Sequence, residues 1–164
     1  MAVRNLVYNG NKLLLEKSKE ILKVDDEIKK LADDMLETMY KYDGLGLAGV
    51  QIGELKRIVT YDVAYIDEKA KKKPVVMINP KIVWTSKTKV LVEEGCLSFP
   101  EVFEDVERFE KIKVEYIGLD GKKRIKSVKD MEAIVIQHET DHLDGVVFLD
   151  KAIKKDKKNV NKKK

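Results

Sequence analysis

The feature that most constrains this chain is the segment "QHETDHLDG", residues 137 to 145. It holds both histidines of the sequence, His138 and His142, four residues apart, with Glu139 directly after the first. The run before it, "MEAIVI", is apolar and β-branched, and Gly145 suits the position just past a helix end. Residues 130 to 143 therefore read as a buried helix, and the i, i+4 spacing places both imidazoles on one face of it. Two core histidines with a chance glutamate between them is the bland alternative. It leaves two imidazoles in an apolar setting without partners, which is costly. A shared metal ion resolves that cost, with Glu139 placed to move protons beside it. Such a site needs a third protein ligand, and no other His exists. The candidates are a carboxylate or the single thiol, Cys96, in "EEGCLSFP". A lone cysteine is usually a small buried hydrophobe. Beside an incomplete metal site, a thiolate ligand is the better reading.

Other chemistry is bounded by composition. With 43% hydrophobic and 38% charged residues over 164 positions, the chain reads as one globular domain with a heavily charged surface. No apolar run reaches membrane-span length, and "MAVRNLVYNGNKLLLEK" lacks a signal-peptide core. One cysteine excludes an internal disulfide and fits a reducing cytoplasm, the expected location. The net charge of +4 is uneven: residues 151–164 hold eight Lys and one Asp (+7), so residues 1–150 sum to 4 − 7 = −3. We expect a catalytic domain over 1–150 and a mobile Lys-rich tail over 151–164. The tail serves solubility, or a weak, sequence-independent association with ribosomal RNA.

Residues 26 to 42 carry apolar residues at helical spacing, from Ile28 to Met39. Asp25 or Asp26 caps the start and Gly44 ends it. "GLGLAGVQIG" (44 to 53) is too glycine-rich for a helix and reads as a loop whose backbone passes close to another group. Within it Gln51 could donate to a developing oxyanion, although a helix stop and tight turn explain the segment as simply. Strands are expected over 57–63, 75–79, 88–94, 111–118 and 123–128. Asp120-Gly121 turns the last pair, and 67–74 forms an exposed loop. Adjacent hairpins between two helices indicate an α+β fold: an N-terminal helix, antiparallel sheets, and a buried C-terminal helix carrying HExxH.

Three segments, "GLGLAGVQ", "EGCLS" and "QHETDHLDG", resemble in order and spacing the signature motifs of peptide deformylases, GxGLAAxQ, EGCLS and QHExDHLxG. The resemblance covers nearly the whole chain. It implies one divalent metal held by Cys96, His138 and His142, usually Fe(II), with Ni(II), Co(II) or Zn(II) as substitutes. It implies that Glu139 transfers the proton, while the Gln51 side chain and the Leu97 N–H steady the oxyanion. The backbone of Gly46 would pair with substrate, and Leu45, Ile134, Val135 and the His138 ring would line a methionine pocket. The substrates would be N-formylmethionyl nascent peptides, with formate released, and no membrane or specific nucleic acid involved. Two departures stand out: Gly49 replaces an alanine, which would loosen the loop, and Phe103 stands where many members carry Arg. Arg108 is a candidate partner for Glu94. The alternatives are an HExxH metallopeptidase, which usually takes His or Glu as third ligand, and a non-enzymatic binding module, which leaves Glu139 and Gln51 without roles.

Overall fold

The computed structural model of the chain describes residues 2–153, so the Lys-rich tail from residue 154 lies outside the described residues. Two α-helices flank a five-stranded antiparallel sheet, and a separate two-stranded ribbon stands beside it. In chain order these are α1 (Asp26–Lys41), β1 (Gly46–Ala48), β2 (Ile58–Tyr61), β3 (Val75–Thr85), β4 (Lys89–Cys96), β5 (Phe99–Phe109), β6 (Lys111–Ile117), β7 (Lys123–Lys129) and α2 (Asp130–Leu143). The sheet order is β1-β2-β3-β6-β7, and β4 pairs with β5. The expected α+β class, with antiparallel sheets and a buried C-terminal helix, is the observed one.

Alternation along the strands divides the core. Ile58 and Ile78 turn to α1 and meet Leu31, Met35 and Met39. Their neighbours Val59 and Met77 turn to the other face and meet Ala133, Ile136 and Leu143 of α2. A strand sandwiched in this way is buried at consecutive positions, as Ile58–Tyr61 is. α2 is covered nearly all round: residues 133–140, 142 and 143 are buried.

Helix ends follow local chemistry. Asp25 Oδ1 accepts the Ile28 N–H at 3.0 Å and caps α1. Both helices close with paired C-terminal bonds. For α1 these are Gly44 N–H to Met39 O (2.9 Å) and Asp43 N–H to Tyr40 O (3.1 Å). For α2 they are Val146 N–H to Asp141 O and Gly145 N–H to His142 O. In α2 the left-handed position belongs to Gly145, as expected. In α1 it falls on Asp43 (φ 54), not Gly44. Gly44 is small for another reason: a Cβ there would lie 2.6 Å from Leu97 Cδ1.

Three stretches differ from expectation. The strand expected at 75–79 runs on to Thr85, because a register shift between Ile78 and Lys81 absorbs Asn79 and Pro80. There the Asn79 N–H bonds Arg57 O at 2.8 Å, and the Asn79 side chain ties down both backbone groups of Ile21. The glycine-rich segment contains a short strand, β1, followed by a 3-10 turn over Gly49–Ile52. β5 was not anticipated at all. Its sequence "FPEVFEDVERF" is acidic and starts beside a proline, so propensity hides it, and only pairing with β4 makes it a strand. Ordered structure also passes the boundary expected at 150, since Ala152 bridges to Val106 and Ile153 N–H bonds Asp105 O at 2.9 Å.

Candidate metal centre

The helical spacing of α2 stacks the His138 and His142 rings with centroids 5.0 Å apart. The third group comes from the far end of β4. There the ladder shifts register between Glu94 and Cys96, and the chain reverses through Leu97 and Ser98 into β5. That reversal brings Cys96 Sγ to 3.4 Å from His142 Nε2. Ligand atoms of Cys96, His138 and His142 all lie within 4.8 Å of one another, as donors around one small ion must.

The surroundings aim these groups. Glu94 Oε1 takes the Nδ1 side of His138 at 2.7 Å, which leaves Nε2 for the site. Arg108, only 2% exposed, grips Glu94 with Nε and Nη2 at 2.6 and 2.8 Å and reaches Asp141 Oδ2 through Nη1 at 2.6 Å. The pairing of Arg108 with Glu94 anticipated from sequence is therefore present. Asp141 was not anticipated, although it sits inside the "HETDH" run. Lys151 contacts it from the outside at 3.0 Å. Gln51 is fixed at its carbonyl by the Ala48 N–H (2.9 Å). Its Nε2 donates to Ser98 Oγ (3.1 Å) and to Cys96 Sγ (3.4 Å). Ser98 is a second residue that sequence reasoning passed over. Only its place two residues after Cys96 could have marked it.

Electrostatics test whether a cation fits. Burial works against a charged His138 ring, yet hydrogen bonds to the Cys96 sulfur and the Glu94 carboxylate outweigh it and raise the ring to about 10. Burial also opposes ionised Glu94, but Arg108 and then His138 hold it down at about 2. Burial pushes Glu139 up to about 7, and burial followed by the His138 charge pushes His142 well below its ordinary value. A thiol and two imidazoles gathered beside the Glu94 and Glu139 carboxylates form a donor set that suits a cation. Two buried atoms, Glu139 Oε2 and His142 Nδ1, have no hydrogen-bond partner among the described residues. A thiolate with two imidazoles suits a transition ion such as Fe(II), Ni(II), Co(II) or Zn(II) rather than Mg(II) or Ca(II).

The site opens into a cleft of about 590 Å³. Leu45, Gly46, Gln51, Leu97, Ile134, Val135, His138 and Glu139 all line it, so the structure gathers the sequence-selected residues around one space. His142 lies behind, fully buried. Gly46 passes so close to Glu139 that a Cβ there would stand 2.7 Å from Glu139 Oε1. Gly49 sits where an alanine side chain would not fit without a shift. A Cβ there would press within 2.9 Å of the Glu54 and Lys56 carbonyls, and its own carbonyl accepts the Glu54 N–H at 3.0 Å. Phe103 lies at the cleft mouth against Gly95.

Comparison with known proteins fits this geometry. A family model described as Polypeptide deformylase matches residues 3–158. A peptide deformylase of Bradyrhizobium diazoefficiens is 46% identical over 165 residues, covering 99% of this chain and 95% of that protein. One from Brachyspira hyodysenteriae is 46% identical over 150 residues, covering 91% of this chain and 80% of its own. Among solved structures, the Thermotoga maritima peptide deformylase superposes with a TM-score of 0.87 at 37% identity, covering 94% of this chain and all of its own. The Ehrlichia chaffeensis enzyme in complex with actinonin gives 0.88 at 42%, covering 100% and 99%. Matches of this extent, in sequence and in backbone, place the chain in the polypeptide deformylase family.

Proposed function

We propose that this chain hydrolyses the N-terminal formyl group of formylmethionyl polypeptides and releases formate, using one divalent metal held by Cys96, His138 and His142. The observation that carries the reading is the meeting of those three donors beside a buried Glu139 with an unpartnered oxygen, in a cleft large enough for a peptide end. A bound transition ion supplies Lewis acidity at the scissile carbonyl and makes water acidic enough to ionise near neutral pH. Glu139 takes the proton of the attacking water and returns it to the leaving amine, so that formate and a free N-terminus result. Gln51 Nε2, held in place through its own carbonyl, and the Leu97 N–H donate to the oxygen on which charge develops. Gly46 offers backbone hydrogen bonds to the substrate. Leu45, Ile134, Val135 and the His138 ring form the methionine pocket.

Fe(II) is the ion we assign, and the cytoplasm the compartment. No helix of the described residues is long and apolar enough to cross a membrane. The tail from residue 154 would add weak, salt-sensitive ribosome association. The direct test is formate release from a formylmethionyl tripeptide by protein purified without oxygen, with metal content measured in the same sample. Formate produced in proportion to bound iron is expected. Iron-loaded protein that releases none ends the proposal.

A further inference from the structure

The five-stranded sheet is covered unevenly. α2 packs along one face, on Met77, Ile112, Val114 and Val128. On the opposite face α1 covers the β1–β3 end, where Ile58 and Ile78 lie, and the β6–β7 end stands open. Register fixes what occupies that open end. Lys111 stands opposite Lys129, Lys113 lies between Trp84 and Ser127, and Glu115 lies between Lys81 and Ile125. Directly paired residues share a face, as do alternate residues of one strand, so Lys123 belongs to it as well.

This face therefore carries five lysines and one carboxylate, on a body whose residues 1–150 sum to −3. The single acid is already engaged, with Glu115 3.7 Å from Lys123. Among the described residues, Lys81, Lys111, Lys113 and Lys129 have no ion-pair partner. Trp84, the only tryptophan, is 48% exposed here, with Lys113 Nζ 5.8 Å from its ring centroid, and Ile125 is 67% exposed. A flat cationic surface with an exposed aromatic ring suits a phosphate backbone whose unpaired bases can stack. A membrane surface is a poorer match, since one Trp and one Ile on a rigid sheet offer little apolar area to insert.

We propose that the open β6–β7 face docks RNA. None of its residues lines the cleft, so a docked molecule leaves the cleft clear. The proposal rests on the deformylase reading for its purpose only: formylated chains emerge from an RNA-rich particle, and docking would concentrate the enzyme there.

The test is binding of the full-length protein to a labelled single-stranded RNA oligonucleotide over a salt series, with tripeptide turnover measured in parallel. Combining Lys111→Gln, Lys113→Gln and Lys129→Gln should lower affinity at least tenfold at low salt. It should reduce the slope of log K against log salt by about two, at ~0.7 per phosphate contact for single strands. Trp84→Ala should weaken binding at every salt concentration. Tripeptide turnover should be unchanged throughout. The same charge removed from the 67–74 loop, by Lys69→Gln, Lys71→Gln and Lys73→Gln, should leave the slope as it was. The proposal is overturned if the sheet triple binds like the parent, or if both triples lose equally, which would reduce the effect to net charge. Binding of the parent to phosphatidylserine vesicles but not to RNA would also overturn it. A parent that binds RNA but releases no formate contradicts the deformylase reading alone.

Discussion

Glu139 and Gly46 meet at the centre of the site, and each makes a distinct prediction. Glu139 stands apart from the three grouped donors, so Glu139→Gln should keep the metal and lose the proton transfer. Turnover should fall by about 10²–10⁴-fold, the usual contribution of a positioned acid–base group, with metal content unchanged. Near-parental formate release by the metal-loaded variant would assign the proton to another group. Gly46→Ala acts through space. Its methyl would stand 2.7 Å from Glu139 Oε1, so the carboxyl must move. We expect a loss in kcat at unchanged metal content, and that steady-state kinetics paired with metal analysis will reveal it. Full activity in Gly46→Ala would mean that Glu139 can move aside and still function.

At the scale of elements, the N-terminal segment is pinned to α1 by Thr38 Oγ1, which accepts the Arg4 N–H at 2.8 Å, and by the buried carboxylate of Asp34. Asp34 accepts the Ala2 N–H at 2.9 Å and the Arg4 Nε–H at 3.1 Å. Burial favours its neutral form, but the Ala2 N–H and then Arg4 outweigh this and hold its pKa below the ordinary value. A carboxyl depressed in the folded state adds stability above its unfolded pKa of about 3.9, and that stability is lost as pH falls through the lower folded value. Asp34→Asn should therefore cost about 1–3 kcal/mol at neutral pH. The gap between parent and variant should shrink as pH falls below about 4. Urea unfolding at several pH values measures this directly, and a gap that stays constant into acid would refute it. The same pattern, a local element tied down by a distant side chain, recurs where Asn79 holds Ile21 and where Gln137 bonds both backbone groups of Phe109.

Over the whole molecule, a metal held by the proposed ligands would join parts that the backbone leaves separate. Cys96 belongs to the β4–β5 ribbon, while both histidines belong to α2 on the main sheet. An ion shared between them stabilises the native state by mass action, about 4 kcal/mol when free metal exceeds Kd a thousandfold. At roughly 2–4 °C per kcal/mol for a chain of this size, chelation should lower Tm by about 8–16 °C. Cys96→Ser should fold, bind metal poorly, and show little response to chelator. Calorimetry with and without chelator checks both, and equal midpoints for the parent would show that the ion does not bridge ribbon and helix.

What the sequence determined by itself was local. The i, i+4 histidines, the buried character of α2, a cap at Asp25 or Asp26, the left-handed glycine after α2 and the β6–β7 hairpin all follow from contacts within a few residues. Dihedral preference and periodicity specify such contacts without knowledge of the rest of the chain. The motif residues were legible for the same reason, as scarce residue types at fixed short spacings. Tertiary structure decided what depends on long separations. Cys96 reaches His142 across 46 residues, and Arg108 reaches Asp141 across 33. β5 exists only because β4 pairs with it, against its acidic composition. Pro80 signals a strand end, yet β3 continues past it because a register shift absorbs it and the Asn79 N–H bonds Arg57 O. These outcomes depend on which surfaces are buried together and which polar groups must be paired once they are, a condition set by the assembled molecule and not by any segment of it.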